Sequence, residues 1–545
     1  MNANDTLRRD FLKTLLTSLP VVALDWSAFP VNSKAATKSD QYDAIIIGSG
    51  LGGLSCAAAF ARQGFKPLVL EQHSKPGGYA TSFKRKDFVF DVSLHSTTVG
   101  ERNNVYNFIQ GFPEITDIEF VPHPDLYRTI FPDYDIRVPQ KNLPGYIEIL
   151  QGHFPEEKEG IAGIFADMQG LSDDISKYSR SNGQVDMSKF PAEFPHLYKN
   201  FRNTWGQMVD ARITNPKLKA IISSQWGYYG LPPAKLSPYY YAMPTLGYLQ
   251  QGGYYPLGRS QNISDAFVSY IEAHDGKVLL NTQVNEILLK NGMAIGVKTK
   301  NGKQFQARVI VSNACAYDTF NKMIPDKQLV QDYRNQMEKY SVSLSCFQIF
   351  LGLKKDLVGQ LGIKDTEIFY NTDYDCDAAY TDMLNADMNN KGFGLTLYDN
   401  LYKGYSPAGK NTLNIMNLQG FAHWEPYQAD YLQGNKKAYR AEKNRMARML
   451  IQQVEESLLP GLSDAIEVME IGTPLTNLLY TSNYRGAIYG WDQTLNNSGN
   501  TRVGHKTPVK NLYLAGAWTR PGHGYGAVIP SGLLCFAEIM KEWQG

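Results

Sequence analysis

The sequence predicts an α/β protein, with a Rossmann-like domain and a discontinuous α+β domain inserted into it. Three observations predict this fold. A glycine-rich turn joins an apolar strand to a small-residue helix near the N-terminus, β-hairpin signals recur mid-chain, and a second glycine-rich loop precedes a C-terminal helix. The 545 residues also exceed the length that one hydrophobic core usually serves, so at least two domains are expected.

The N-terminal turn lies in the stretch DAIIIGSGLGGLSCAAAFARQGFKPLVLE, which begins at Asp43. Ala44–Ile47 is the short apolar run of a buried parallel strand, Leu54–Arg62 has the small residues of a closely packed helix, and Lys66–Leu70 predicts the next strand. The turn has the spacing G-x-G-x-x-G, and its residues are candidate ligand contacts: Gly48, Gly50, Leu51, Gly52 and Gly53.

The spacing has a physical reason at each position. Gly48 permits the tight turn, Gly50 lets the backbone approach a pyrophosphate, and Gly53 lets the helix pack against the strand. The helix N-terminus offers unpaired N–H groups and the positive end of its dipole to the anion. Glu71 follows the second strand, where its carboxylate can accept hydrogen bonds from a ribose hydroxyl and would repel a 2′-phosphate.

The residues after Glu71 distinguish between dinucleotides. Gly77 and Gly78 complete an E-x(5)-G-G spacing, and Phe90-Asp91 follows downstream. This combination resembles the FAD-binding amine-oxidase superfamily. The resemblance implies that FAD is the cofactor and that Gln72, Gly77 and Gly78 contact it.

The middle segment, Gly252–Ala314, predicts a helix followed by four strands. Asn291-Gly292 and Asn301-Gly302 are β-hairpin signals between the later strands. In flavoproteins of the same superfamily this region lies against the adenine end of FAD, so the resemblance implies a contact from Val284. The predicted strands are Lys277–Leu280, Val284–Leu289, Ala294–Thr299 and Arg308–Val311.

The C-terminal segment, from Asn511 to Met540, predicts a buried strand at Leu512–Leu514, a glycine-rich loop and a helix that follows Pro530-Ser531-Gly532. Backbone N–H groups at the start of such a helix suit the ribityl–phosphate chain and the pyrimidine edge of a flavin. The expected cofactor contacts in this segment are Gly516, Ala517, Gly526, Ala527 and Ile529.

The three segments together resemble the phytoene desaturase, carotenoid isomerase and retinol saturase family. FDVSLHSTTVG from Phe90 and AIYGWD from Ala487 add to the resemblance. Two positions depart from it: Gly258-Arg259 stands where family members often have Gly-Gly, and Ala517 stands where many have Asp or Glu. Backbone donors can replace that acid, so FAD binding is still expected.

The resemblance implies hydride transfer at allylic or conjugated carbons of an apolar isoprenoid, polyene or lipid. A hydrocarbon has no acidic proton and little to hydrogen-bond, so flavin N5 must supply the chemistry. Dehydrogenation, saturation, isomerisation and allylic hydroxylation all fit one scaffold. Two alternatives remain open: a flavin amine oxidase acting on a small amine, and a non-catalytic FAD-binding subunit of a complex, which Ala517 permits.

Three side chains are candidate catalytic residues beside the flavin: His95, His523 and Tyr489. His95 follows the first FAD segment, and His523 lies within the C-terminal glycine-rich loop. A structural role for His95 is the simpler interpretation. Asp373, Asp375 and Asp377 favour a solvated loop over a cation site, and no metal site is expected.

Tyrosines are concentrated between residues 228 and 255. They could line an apolar pocket that stabilises a passing cation, fill an aromatic core, or contact a membrane surface through which an apolar substrate arrives. The sequence leaves these roles open. The cluster comprises Tyr228, Tyr229, Tyr239, Tyr240, Tyr241, Tyr248, Tyr254 and Tyr255.

The five cysteines are scattered without a CxxC pair, which argues against zinc and against a disulfide framework. The formal net charge of +1 gives no electrostatic case for nucleic acid. The predicted division assigns residues 40–100, 250–320 and 475–545 to the FAD-binding domain, and 101–249 and 321–474 to the substrate domain.

Residues 1–39 predict an export signal and linker. Arg8-Arg9 precedes Phe11-Leu12-Lys13 and a short, interrupted apolar segment, which resembles a twin-arginine signal. The export machinery would then be a partner, and the location periplasmic or otherwise exported. NAD(P)H is scarce there, so a quinone, a redox protein or oxygen is the expected electron acceptor.

Overall fold

The structure, a computed structural model, describes residues 42–93, 95–98, 112, 118–181, 185–388 and 392–544. The predicted export signal therefore lies outside the described residues. The described strands form two seven-stranded sheets and two small ribbons. The ribbons pair Ser82–Arg85 with Phe88–Asp91, and Phe120–Pro122 with Tyr254–Pro256.

The first sheet contains the predicted dinucleotide-binding strands. Its centre is parallel, because Tyr42–Ile47 pairs with Pro67–Leu70 on one side and with Gln304–Ser312 on the other. The order across the sheet is Val284–Lys290, Met293–Thr299, Gln304–Ser312, Tyr42–Ile47, Pro67–Leu70 and Lys277–Leu279, with Leu512–Leu514 also pairing with Gln304–Ser312.

The long strand Gln304–Ser312 belongs to both the antiparallel and the parallel part of the first sheet. Its first half pairs antiparallel with Met293–Thr299, and its last residues, Val309–Ser312, are buried among parallel neighbours. Both predicted hairpins are confirmed, since Asn291-Gly292 and Asn301-Gly302 each join antiparallel strands. The predicted strand at Arg308–Val311 is thus only the buried half of a longer one.

Two helices pack face to face on the first sheet. Leu51–Arg62 begins three residues earlier than predicted and is buried along most of its length. The C-terminal helix spans Tyr525–Gln544, so it begins before Pro530 rather than after it. Pro530 thus lies inside the helix, at its sixth residue, where its nitrogen cannot donate a helical hydrogen bond. The helices approach closely because Gly532 lies against the backbone oxygen of Gly52.

All seven strands of the second sheet lie within the two predicted inserts, residues 101–249 and 321–474. Five of its strands form a continuous antiparallel array, and a parallel pair joins Glu367–Tyr370 to Asp125–Ile130. The order is Ile466–Gly472, Ser345–Leu353, Asn411–Gln419, Phe393–Thr396, Glu367–Tyr370, Asp125–Ile130 and Asp135–Pro139.

Helices cover this second sheet. The predicted amphipathic helix is confirmed as Lys437–Ser457, and its buried face includes Met446, Leu450 and Val454. The other helices of the two layers are Leu143–His153, Lys158–Arg180, Pro195–Asn200, Trp205–Asp210, Pro216–Ile222, Pro238–Gln251, Gln261–Ala273, Gln331–Met337, Cys376–Asn385 and Pro474–Thr481, with one-turn helices between them. The division into FAD-binding and substrate domains remains a prediction.

Two smaller expectations concern polar clusters and membrane spans. Asp375 caps the helix Cys376–Asn385 by accepting from the backbone N–H groups of Asp377 and Ala378, so the aspartate run serves local structure. Within the described residues no group of three or more His, Cys, Asp or Glu is arranged to hold a metal ion. No helix in the described ranges is long and apolar enough to cross a membrane.

We predict that Gly532→Ala destabilises the protein by about 1–3 kcal/mol, although alanine has the higher helix propensity. The new Cβ would lie 2.1 Å from both Gly52 O and Ser55 Oγ, and 2.7 Å from the Cys56 backbone nitrogen. Denaturant unfolding of the purified protein measures the change. Gly152→Ala is the matched control, because Gly152 is also helical and nothing lies within 4 Å of the position that its Cβ would take. Equal effects of the two substitutions would contradict the packing argument.

Candidate functional site

One cavity of about 910 Å³ connects the glycine-rich turns to the tyrosine cluster. At one end it is lined by the N-terminal turn, by Glu71 and by Val284. At the other end it is lined by tyrosines, methionines and His95. A site of this size can hold a large ligand and a second molecule in contact with it.

The N-terminal turn is shaped by the absence of side chains. Gly48 has a φ of +91°, and a Cβ on Gly53 would come within 2.3 Å of the Gly48 carbonyl oxygen. A Cβ on Gly52 would lie 2.7 Å from the Cα of Gly516, so the two glycine-rich segments touch directly. The structure thus requires glycine at these positions for the reasons predicted from the sequence, a tight turn and close packing.

Asn313 is a cavity residue that the sequence analysis missed. Its side-chain amide lies among three of the glycines, where a Cβ on Gly50 would be 2.8 Å from Nδ2 and a Cβ on Gly516 would be 2.3 Å from Oδ1. Nδ2 also donates to the Gly48 carbonyl oxygen at 3.4 Å. The signal that could have found it is its position directly after the buried strand Gln304–Ser312, at the carboxyl edge of the sheet.

Glu71 lies at the end of the second parallel strand and is buried. Its Oε2 accepts from the backbone nitrogen and the hydroxyl of Ser49, at 2.8 and 2.7 Å, and its Oε1 accepts from the His73 nitrogen at 2.8 Å. The carboxylate therefore has a fixed orientation and still lines the cavity. Ser49, between two motif glycines, is a second residue whose role the motif alone does not reveal.

Gln72 links this end of the cavity to a helix of the C-terminal region. Its Nε2 donates to the Tyr480 carbonyl oxygen at 3.0 Å, and its Oε1 accepts from Ser482 Oγ at 3.1 Å. Tyr480 also lines the cavity and is 52% exposed. Gly77 and Gly78 line the same region, with the Gly77 nitrogen donating to the Ser49 carbonyl oxygen at 2.9 Å.

The C-terminal loop is held by a buried arginine. Arg502 donates from Nη2 to the Ala517 carbonyl oxygen at 2.7 Å and from Nε to that of Thr519 at 2.9 Å. The Gly516 nitrogen donates to Ser531 Oγ at 3.0 Å. The position where many family members have an acid is thus stabilised through its backbone.

Most of the predicted cofactor residues line the cavity. Gly53 and Ile529 do not, because Gly53 packs against the preceding strand and Ile529 is a core residue whose carbonyl oxygen accepts from Ser55 Oγ at 2.9 Å. The predicted residues that line it are Gly48, Gly50, Leu51, Gly52, Glu71, Gln72, Gly77, Gly78, Val284, Gly516, Ala517, Gly526 and Ala527.

His95 and His523 both line the cavity, at different walls. Burial lowers the pKa of His95 to about 4 and that of His523 to about 3, the latter aided by the nearby Arg502 charge. Both imidazoles are therefore neutral near pH 7. His523 stacks on Tyr489 with ring centroids 4.1 Å apart.

Tyr489 contributes its ring to the cavity, while its hydroxyl donates to the Gly227 carbonyl oxygen at 3.0 Å. Burial raises the pKa of this hydroxyl well above its usual value. The ring of Tyr489 therefore forms part of the aromatic wall, and its catalytic role stays a prediction.

The tyrosine cluster divides between two roles. Tyr241 stacks on Trp205 with centroids 4.2 Å apart, and Tyr255 hydrogen-bonds the buried Asp91, so these two belong to the core. Tyr254 lies in a ribbon strand. The cluster members that line the cavity are Tyr228, Tyr229, Tyr239, Tyr240 and Tyr248.

Comparison with known proteins gives a consistent result. Residues 46–112 match the family described as NAD(P)-binding Rossmann-like domain. Over 521 residues the chain is 27% identical to prolycopene isomerase 1, chloroplastic, from an Oncidium hybrid cultivar, covering 93% of this chain and 85% of that protein. Over 550 residues it is 26% identical to all-trans-retinol 13,14-reductase from Danio rerio, covering 93% and 87% respectively.

Solved structures agree on the fold. Cyclohexylamine oxidase from Brevibacterium oxydans superposes with a TM-score of 0.58 at 15% identity, covering 93% of this chain and all of that one. The predicted fold class, a Rossmann-like domain of the amine-oxidase type with an α+β insert, is confirmed. The two relatives are enzymes, an isomerase and a reductase, whose similarity extends over nearly the whole chain. The chain is therefore similar over nearly its whole length to a carotenoid isomerase and a retinol reductase, in agreement with the resemblance that its motifs predict.

Proposed function

We propose that this protein is an FAD-dependent oxidoreductase that transfers hydride at allylic or conjugated carbons of an apolar isoprenoid or polyene. One observation carries the proposal: a single cavity of about 910 Å³ joins a dinucleotide-type turn to an aromatic pocket. A cofactor at the first end would meet a substrate in the second. The names of the relatives, a prolycopene isomerase and a retinol reductase, support a polyene substrate.

The residues present fit FAD. The turn at Gly48–Gly52 would offer backbone to a pyrophosphate, and a Cβ at Gly52 would fill the space against Gly516. Glu71, which is held by Ser49, would accept from a ribose hydroxyl, and Gln72 and Val284 would contact the adenine. Gly516, Ala517 and the first turn of the C-terminal helix would meet the ribityl chain and the ring. When bound, the flavin ring supplies the hydride acceptor and donor.

The chain's own residues would bind and orient the hydrocarbon. Met243, Met416 and Ile488 offer apolar contacts along the aromatic pocket, while Tyr240 and His523 close one wall. The Tyr240 hydroxyl donates to the His523 carbonyl oxygen at 2.8 Å, which fixes both rings. Such walls exclude water from a reactive carbon, and the aromatic faces stabilise positive charge along a polyene.

A flavin amine oxidase shares the fold and remains the second candidate. The tyrosine end could contact a cation through its rings, but it offers no carboxylate to pair with an ammonium ion, so the cavity favours this candidate less. Of the described lining residues the only acids are Glu71, at the dinucleotide end, and Asp318, which pairs with Lys322 at 2.8 Å. No ionised acid lines the tyrosine end within the described part of the chain.

Location and electron transfer are further parts of the proposal. The Arg8-Arg9 motif supports export by the twin-arginine route to the periplasm or beyond. That route carries folded proteins, which suits a chain that must bind FAD before it leaves the cytosol. We propose a quinone, a redox protein or oxygen as electron acceptor when the reaction is a net oxidation, and peripheral membrane contact as the route for an apolar substrate.

We predict that Gly52→Ala weakens FAD binding by about tenfold or more, because overpacking here costs about 1–3 kcal/mol. The new Cβ would lie 2.7 Å from Gly516 Cα and 2.9 Å from its nitrogen. Titration of the flavin-free protein with FAD, followed by absorbance, measures the affinity. Gly152→Ala is the control and should bind like wild type. Unchanged binding by Gly52→Ala would show that the turn does not hold the dinucleotide.

We predict that the purified protein is yellow and that an anaerobic terpenoid or carotenoid series bleaches or perturbs its flavin band, with at least one substrate converted. Product analysis by chromatography identifies the isomer, desaturated or saturated compound. A parallel series of small primary amines should leave the spectrum unchanged. Bleaching by amines without any effect of terpenoids would favour the flavin amine oxidase instead. A colourless protein that cannot be reconstituted with FAD would overturn both candidate functions.

A further inference from the structure

A buried carboxyl group, Glu367, lies directly behind the wall of the aromatic pocket. It is the first residue of the strand Glu367–Tyr370 in the second sheet, opposite Thr396, and is 3% exposed. The Tyr228 hydroxyl donates a hydrogen bond to its Oε1. His95 Nδ1 lies 3.7 Å from the same oxygen and 2.5 Å from Thr396 Oγ1.

Tyr228 and His95 connect this carboxyl group to the cavity. Both line it, and their rings stack with centroids 6.1 Å apart at 21°. Glu367 itself is not among the lining residues. A proton on the carboxyl group is therefore one hydrogen bond away from a phenol that a substrate can touch.

The surroundings of Glu367 are uncharged at neutral pH. Burial raises its pKa to about 8, partly offset by the Tyr228 hydrogen bond, and burial lowers that of His95 to about 4. Among the described residues no Lys or Arg forms an ion pair with its carboxyl group. The titratable groups that face it are His95, Tyr228, Tyr248, Tyr127 and Tyr398.

Glu367 and His95 are both uncharged at neutral pH. The carboxyl group is protonated and His95 is neutral, so the two form no ion pair although they are close. A folded-state pKa above the unfolded value also means that Glu367 favours folding at acidic pH and loses that contribution as pH rises through about 8. Nothing in the proposed dinucleotide site uses this proton.

We propose that Glu367, acting through Tyr228, holds the proton that is exchanged with a carbon of the bound polyene. The inference rests on the proposed function, and it adds a positioning residue with a proton-storing role to the same cavity. His95 and Thr396 fix the carboxyl side of the relay, since Thr396 lies opposite Glu367 in the sheet and bonds the imidazole.

The step balances without a redox change. In the structure Tyr228 Oη–H donates to Glu367 Oε1. For the step this O–H turns towards the polyene, and Oη accepts from the protonated carboxyl group instead. The Tyr228 O–H bond then breaks as a C–H bond forms on the polyene, and the Glu367 proton passes to Oη, leaving a carboxylate and a polyene cation. In the return step a proton leaves that carbon for Tyr228, the Tyr228 proton returns to Glu367, and the polyene keeps its electron count with a shifted or rotated double bond.

Infrared titration tests the proton store without any substrate. The wild-type holoenzyme should show the carbonyl stretch of a protonated carboxylic acid at neutral pH, disappearing as pH passes about 8. Glu367→Gln should lack this band, and Tyr228→Phe should shift it by removing its hydrogen bond. Tyr127→Phe, a nearby core phenol outside the cavity lining, should retain the band unshifted. A wild-type spectrum unchanged by Glu367→Gln would overturn the proposal.

Deuterium transfer tests the relay itself. Holoenzyme equilibrated in D2O and given a polyene that it converts should place solvent deuterium on product carbon. Glu367→Gln and Tyr228→Phe should each lower that incorporation by on the order of a hundredfold, as for the loss of a general acid, while Tyr127→Phe should match wild type. Each variant is checked first for retained flavin, so that unfolding is not mistaken for loss of the relay.

The outcomes separate the two proposals. Wild-type turnover without solvent deuterium, or equal incorporation by Glu367→Gln and wild type, overturns the relay and leaves the oxidoreductase intact. Wild type that binds FAD but converts no polyene overturns the proposed function, and the relay falls with it. If Glu367→Gln fails to fold, the Tyr228→Phe incorporation and band shift decide the question.

Discussion

The central constraint in this molecule is the direct contact between two glycine-rich backbones from opposite ends of the chain. A Cβ on Gly52 would lie 2.7 Å from Gly516 Cα, so only glycine lets the N-terminal turn and the C-terminal loop meet. Asn313 fills the remaining gap with an amide rather than an apolar group. The cavity, the two packed helices and the position of the ligand-facing segments depend on this approach.

The second sheet supplies what the dinucleotide fold lacks, namely a wall for an apolar molecule. Met416 and Gln348 reach the cavity from its central strands, and the helix Pro238–Gln251 closes the other side with tyrosines. Two tyrosine hydroxyls in this wall donate to backbone oxygens, that of Tyr489 to Gly227 and that of Tyr248 to Ser96. The surface facing a ligand is therefore mostly ring faces and methyl groups, which suits a hydrocarbon.

Local sequence patterns predict the first sheet well because each signal is short-range. Apolar strands, Asn-Gly turns and motif glycines locate its elements to within a few residues. The second sheet is harder to predict from local sequence. Asn411–Gln419 contains three asparagines and looks like a loop, yet it is a central buried strand in which Asn417 Nδ2 donates to the Gly392 carbonyl oxygen at 2.9 Å. Asn411 likewise accepts from the distant Val358 nitrogen at 3.1 Å, and no local pattern reveals such partners. Glu367 could not be predicted for the same reason, because its partners Tyr228 and His95 are far away in sequence.

The bond between Gln72 and the helix Pro474–Thr481 has a mechanical consequence. That helix follows directly from the edge strand Ile466–Gly472 of the second sheet, and its last turn is tied by Tyr480 and Ser482 to the residue beside Glu71. One helix therefore joins the edge of the second sheet to the cavity rim beside Glu71. A displacement of that edge strand would be transmitted to the rim through the same two hydrogen bonds.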